Sequence, residues 1–64
     1  MGLWKYVQKR VQIVFNDGTV LEGFVHDYID QEDTDFDYDE IIFTPDGGNM
    51  IAVGEDEIKQ IHSI

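Results

Sequence analysis

Cysteine is absent from this sequence, proline occurs once, and basic residues lie only near the two ends. The lack of cysteine excludes a disulfide framework and a cysteine-ligated metal, and it fits a reducing compartment. No apolar run approaches the roughly 18 residues that a membrane-spanning helix needs. The chain does not open on a basic segment followed by an apolar stretch, the pattern of a signal peptide. We therefore expect a cytoplasmic protein with no membrane contact.

Positive charge is the scarcest property of the chain. Four Lys and Arg face 14 Asp and Glu, which gives a net charge of −10, and no basic residue lies between Arg10 and Lys59. Affinity for nucleic acid depends on Lys and Arg that displace counterions from phosphates. Nucleic acid is therefore an unfavourable partner, whereas a basic protein would be attracted and steered towards this surface.

The length of 64 residues sets the size of the core. A chain this short buries only about 60% of its unfolded surface. An apolar content of 42% is nevertheless typical of a globular protein. We predict one domain over residues 1–64, without room for a deep substrate cleft.

Hydrophobic alternation and turn residues divide the chain into short elements. Val11, Ile13 and Phe15 predict a strand with one buried face, and the Asn-Asp-Gly-Thr sequence after it predicts a hairpin turn. The predicted order is a helical turn at 3–7, strands at 11–15, 19–29, 40–45 and 50–53, a 3₁₀ turn at 54–57, and a last strand at 58–64.

The second predicted strand is long, and it contains Gly23. Apolar residues occupy both of its faces, and glycine inside a strand usually marks a bend, a bulge or a close backbone approach. We expect a strongly curved strand that serves both halves of a barrel and passes close to another backbone at Gly23.

Three stretches carry a family resemblance: LWKYVQKRVQIVF, DGTVLEG and VGEDEIKQI. With them the chain resembles the Sm-like small β-barrels, within the broader class of SH3-like barrels. Rolling five short strands into a barrel also buries their apolar faces and reduces exposed edges. We predict an all-β fold: a small five-stranded SH3-like or Sm-like barrel with a short N-terminal helical turn and a 3₁₀ turn before the last strand.

The chain departs from this family where Sm-like proteins bind RNA. The family carries an Asp and an Asn after the first signature, but no Asn stands in the matching stretch here. Val53 occupies the position before Gly54 where an Arg is usual. The resemblance therefore implies the fold but no RNA-binding residue. It also implies that the chain could form a homo-oligomer by pairing the edge strands of the barrel.

Aromatic side chains are numerous, and we assign most of them to packing. Phe15, Phe24 and Phe43 are predicted core residues. Trp4 and Tyr6 are expected to pack the N-terminal turn against the mouth of the barrel. A stacking platform for bases would need a basic groove, which the sequence lacks.

An acidic loop is the sharpest local feature, with seven carboxylates in the eleven residues 30–40. Exposed aromatic side chains among charges are typical of contact surfaces. The simplest interpretation is a solvated loop with no ligand, and the functional one is a docking site for a basic protein. The candidate partner-binding residues are Asp30, Glu32, Asp33, Asp35, Phe36, Asp37, Tyr38 and Asp39.

A divalent-cation site in this loop is a weaker alternative. Asp33, Asp35 and Asp37 have the spacing that opens an EF-hand loop. Tyr38 replaces the glycine of that motif, and Thr44 stands where its bidentate glutamate belongs. We expect no resident metal or other cofactor.

Catalysis is not indicated by any residue pattern. His62 and Ser63 are neighbours on a predicted strand and point to opposite faces, so they cannot form a nucleophile–base pair. No glycine-rich phosphate loop precedes a helix. The sequence favours a non-catalytic binding module. The alternatives are an Sm-like RNA-associated ring, a nucleic-acid mimic and a weak cation binder.

Overall fold

The structure, a computed structural model, describes residues 2–33 and 37–64. Five antiparallel strands form one sheet in the order β4-β3-β2-β1-β5. The strands are β1 (Arg10–Phe15), β2 (Val20–Ile29), β3 (Glu40–Pro45), β4 (Ile51–Gly54) and β5 (Ile58–Ser63). The described residues also form 3₁₀ turns at Leu3–Tyr6, Gln31–Asp33 and Glu55–Glu57. The predicted all-β fold class is thus confirmed. In the described residues no helix is long and apolar enough to cross a membrane.

The hairpin turn between β1 and β2 forms as its residues predict. Gly18 adopts a φ of 92°, in the left-handed region that side chains disfavour. The Thr19 backbone N–H donates to Asp17 Oδ1 at 2.9 Å, and the Phe15 N–H donates to the Thr19 carbonyl at 2.8 Å. The turn is therefore held by its own backbone and by the aspartate side chain.

Strand β2 joins the two halves of the sheet, as its length predicts. Its first half pairs with β1 and its second half with β3, and Gly23 belongs to both pairings, opposite Val11 and Pro45. A β-carbon at Gly23 would overlap the Thr44 carbonyl oxygen and would lie 2.7 Å from Pro45 Cα. The predicted close backbone approach at Gly23 is confirmed.

A β-bulge in β2 explains why both of its faces carry apolar residues. Val25 pairs with Phe43 and Asp27 with Ile42, so His26 is the extra residue. Since one inserted residue reverses the alternation, Val25 and Tyr28 both face the core although their positions differ in parity. The bulge lies three residues beyond Gly23.

Among residues 2–33 and 37–64 every buried side chain is apolar, and each strand contributes at least one of them. The core side chains are Leu3, Val11, Ile13, Val25, Ile41, Phe43, Val53 and Ile58.

Two expectations about aromatic packing are wrong. Trp4 does not pack against the barrel but is 63% exposed, because Leu3 and Tyr6 are the residues of that turn that face the sheet. Phe24 is not part of the core, since it follows Gly23 on the outer face of β2 and stacks edge-on against His26 with centroids 5.0 Å apart. Phe43 is buried as predicted, and Phe15 packs partly buried against the core. Tyr6 also packs there, and its hydroxyl donates to the Ile61 carbonyl at 3.2 Å.

Candidate partner-binding surface

Hydrogen bonds among one tyrosine and two aspartates join the two ends of the connection between β2 and β3. We call this group, Tyr28, Asp30 and Asp39, the clasp. The Tyr28 hydroxyl donates to Asp39 Oδ2 at 2.7 Å and lies 3.4 Å from Asp30 Oδ2. The other carboxylate oxygens accept backbone N–H groups, from Gln31 at 2.8 Å for Asp39 and from Glu32 at 3.0 Å for Asp30. Two of the predicted partner-binding carboxylates, Asp30 and Asp39, therefore serve the structure of the connection itself.

The clasp changes the ionisation of its tyrosine. The hydrogen bond that Tyr28 donates to Asp39 raises the pKa of the phenol well above its usual range. Partial loss of hydration and the negative charges of Asp39 and Asp30 act in the same direction. The hydroxyl consequently stays protonated, and remains a donor to the carboxylate, at alkaline pH values where an ordinary tyrosine ionises.

The remaining predicted residues of the connection point outward or towards β4. Glu32, Asp33 and Asp37 are exposed, and Tyr38 is half-buried. Asp35 and Phe36 lie outside the described residues. Asp35 is also one of the three candidate metal ligands, and within 2–33 and 37–64 no three potential metal-ligating side chains come together.

Tyr38 links the connection to the 3₁₀ turn before β5. A β-carbon at Gly54 would lie 2.5 Å from Tyr38 Cε2 and 2.6 Å from Asp56 Oδ1, so the tyrosine ring covers this glycine. The pKa of Tyr38 is raised by loss of hydration and then by the charges of Asp56, Glu40 and Glu57. The phenol of Tyr38 therefore lies close to carboxylates that come from β3 and from the 3₁₀ turn.

Backbone hydrogen bonds fix three segments against one another. The Glu55 N–H donates to the Asp39 carbonyl at 2.8 Å, which joins the 3₁₀ turn to the connection. Asn16 joins the same turn to the β1–β2 hairpin, through Nδ2 to the Asp56 carbonyl at 2.7 Å and through its N–H to the Glu57 carbonyl at 3.0 Å. A shallow depression of about 280 Å³ lies at this junction, lined by Phe15, Asn16, Asp17, Asp56 and Glu57.

These contacts create one acidic end of the molecule from three parts of the chain. We use the name acidic end for the described carboxylates that these three segments carry and that do not belong to the clasp: Asp17, Glu32, Asp33, Asp37, Glu40, Glu55, Asp56 and Glu57. The three acids of the 3₁₀ turn are next to one another in the sequence, but only the pairing of Glu40 with Gly54 brings them to the β2–β3 connection. Sequence reasoning about the acidic loop alone missed them.

Positive charge lies mostly away from the acidic end. Lys5 and Lys9 belong to the N-terminal segment, and Arg10 begins β1, whose other end at Phe15 is roughly 17 Å distant. The Arg10 guanidinium forms a bidentate ion pair with Asp46, in which Nη1 donates to Oδ1 at 2.9 Å and Nη2 donates to Oδ2 at 2.8 Å. Lys59 is exposed and follows the 3₁₀ turn. The molecule is therefore electrically polarised.

Comparison with protein families, curated proteins and solved structures finds no match to this chain.

Proposed function

We propose that this chain is a small non-catalytic binding module that docks a basic protein partner through its acidic end. The observation that carries the proposal is the gathering of three segments, each bearing carboxylates, at one end of the barrel. A cluster of exposed carboxylates raises the local concentration of a positively charged partner and accelerates its association.

The arrangement of the acidic end supports binding rather than chemistry. Glu32, Asp33 and Asp37 are exposed, so a partner can reach them directly. General acid–base catalysis needs a carboxyl with a matched pKa in a site that holds a substrate. The depression beside Phe15 is shallow and open, which suits contact with a side chain of a partner more than enclosure of a substrate.

Octalysine labelled with a fluorophore is a suitable probe for the proposal. We expect it to bind with an affinity that falls steeply as sodium chloride is raised, because the contact is between exposed charges. The double variant Glu32→Gln/Asp37→Asn should bind several-fold more weakly than the wild type.

A matched variant separates the acidic end from total charge. Glu22→Gln/Asp27→Asn removes the same two charges from β2, where both side chains are exposed. Both replacements keep the oxygens that accept hydrogen bonds from Gln12 and from the Tyr28 N–H. Equal weakening by the two double variants would show that only the net charge matters, and it would contradict a defined docking surface.

An Sm-like ring is the second candidate, and the sheet order favours it. Strands β4 and β5 lie at the two edges of the sheet, so each could pair with the other edge of a neighbouring copy. Light scattering would reveal such a ring as a mass several times that of the 7.4 kDa chain. Retention of RNA at moderate salt would favour the hypothesis of an Sm-like, RNA-associated ring. A ring that retains no RNA would have no RNA-binding role.

A further inference from the structure

We propose that the free edge of β4 receives an extended segment of the partner as a sixth strand, with a basic end of that segment beside the acidic end. This inference rests on the proposed function, since it states how the basic partner docks. It concerns a part of the surface, the strand edge, that the acidic loop does not include.

The hydrogen-bond pattern within the described part of the chain shows which backbone groups of β4 point away from β3. The Glu55 N–H donates to the Asp39 carbonyl in register with the β3–β4 ladder. Because bonded and non-bonded pairs alternate in an antiparallel ladder, Ile51 and Val53 bond to β3 whereas Ala52 and Gly54 direct their backbone groups outward. The Gly54 N–H already donates to Glu57 Oε1 at 3.1 Å. Ala52 therefore offers a donor and an acceptor to an added strand.

The side chains along this edge are apolar and incompletely covered. Met50 is 60% exposed and Ile51 is 41% exposed, although Ile51 lies beside the buried Phe43 in the ladder. An added strand would cover Ile51 from its open side. No charged residue and no proline lies within β4, although these are common means of protecting an edge. The other edge strand, β5, carries Lys59.

The charge around β4 selects the occupant, and antiparallel pairing, which is the more stable ladder, sets its direction. The acidic 3₁₀ turn Glu55–Glu57 follows directly after β4, and Glu40 pairs with Gly54, the last residue of the strand. An antiparallel segment would place its N-terminal residues at this end. The best-matched segment therefore carries lysine or arginine first and alternating apolar residues after them. Its basic residues meet the carboxylates, and its apolar residues cover Ile51.

A second copy of this chain is a poorer occupant of the edge. Each copy carries a net charge of −10, so bringing two together costs electrostatic free energy before any strand pairs. A basic segment gains from the same charge. The proposal therefore commits to a partner of opposite charge, and self-association becomes an outcome of the test.

Two peptides of identical composition test the direction of docking. One has two lysines followed by Thr-Val-Thr-Val-Thr, and the other has the reversed order. We expect the lysine-first peptide to bind more tightly to the full chain, with the backbone N–H signal of Ala52 shifted in the NMR spectrum. Octalysine, which has no apolar residues, serves as the charge-only probe.

Two proline variants test the strand edge itself. Ala52→Pro removes the outward N–H of β4 without breaking a bond to β3, so the variant should fold. Losing the hydrogen bond that the Ala52 N–H would donate to the added strand should weaken the lysine-first peptide by about fivefold. Ser63→Pro is the matched control on β5. The Ile64 N–H donates to the Arg10 carbonyl at 3.1 Å in register with β1, so the Ser63 N–H also points outward.

The possible outcomes separate this inference from the proposed function. Tighter binding of the lysine-first peptide, lost in Ala52→Pro and kept in Ser63→Pro, supports strand addition at β4. Salt-sensitive octalysine binding with no preference between the two peptides overturns the inference but leaves the acidic docking function. Failure of all three probes to bind overturns both. A larger mass in solution that Ala52→Pro abolishes shows that a second copy occupies the edge, and this also overturns the inference.

Discussion

Gly23 illustrates how a single residue without a side chain makes the curvature of the sheet possible. The space that a β-carbon would need is occupied by the Thr44 carbonyl oxygen, and Pro45 Cα is only 2.7 Å away. These atoms belong to the backbone of β3, so they cannot move without breaking the pairing of β2 with β3. Glycine is therefore required here by the approach of two strands and not by an unusual φ angle.

We predict that Gly23→Ala destabilises the protein by about 3 kcal/mol, at the upper end of the usual cost of overpacking. Urea unfolding followed by fluorescence measures the change. Glu22→Ala is the neighbouring control, because Glu22 is exposed, and it should change the free energy of unfolding by at most about 0.5 kcal/mol. A stability for Gly23→Ala equal to that of the control would contradict the close approach.

Ionisation of Tyr28 makes the stability of the folded protein depend on pH in the alkaline range. The folded-state pKa of Tyr28 lies above the ordinary value of 10.0, chiefly because its hydroxyl donates to Asp39. A group whose pKa is raised by folding contributes stability that is fully present below the unfolded pKa and is lost as the pH rises above it. We predict that the melting temperature of the wild type falls above pH 10, and that the fall is shallower in Tyr28→Phe. Thermal unfolding at several pH values checks this, and identical slopes would argue against the clasp.

At the scale of elements, the contact between the β1–β2 hairpin and the 3₁₀ turn depends on Asn16. Its side chain donates to the Asp56 carbonyl at 2.7 Å, whereas an aspartate at this position would place a negative charge against that carbonyl. We predict that Asn16→Ala costs about 1 kcal/mol of stability and that Asn16→Asp costs more. Chemical unfolding of both variants measures the difference. An Asn16→Ala variant as stable as the wild type would show that the side-chain hydrogen bond is unimportant.

The elements themselves were largely predictable, because alternation and turn chemistry are local signals. Each predicted strand matches an observed one to within about a residue at either end, which is the usual uncertainty in strand boundaries. A strongly curved β2 was expected, and a bulge was one of the features that Gly23 could mark. The bulge at His26 itself was not predicted, because its place depends on how β3 aligns with that strand. The acidic end could not be derived from local patterns, since it exists only because β4 brings Gly54 beneath the ring of Tyr38. Trp4 shows the same limit, because an apolar residue in a turn does not state which side faces the sheet.

For the whole molecule, the dominant electrostatic feature is repulsion among carboxylates. The net charge is −10, and the pKa of Asp46 is lowered by its hydrogen bonds from Arg10. Lowering the pH therefore has two opposite effects. It reduces the net negative charge of the chain, and below the ordinary aspartate pKa of about 4 it also begins to remove the stabilisation from the Arg10–Asp46 ion pair. That stabilisation is fully lost only when the pH falls below the lowered folded-state pKa of Asp46.

We predict that repulsion dominates near neutral pH, so that sodium chloride raises the melting temperature. The exposed carboxylates of the acidic end lie within roughly a Debye length of one another at low salt, and added ions screen them. Glu32→Gln/Asp37→Asn should melt at a higher temperature than the wild type in low salt and should respond less to added salt. Arg10→Gln serves as the opposite control, since it removes an attractive partner and should lower the melting temperature. A wild type that melts at a lower temperature as salt is added would mean that attractive pairs such as Arg10–Asp46 outweigh the repulsion. The acidic end would then not be a surface of net repulsion that a basic partner relieves on binding.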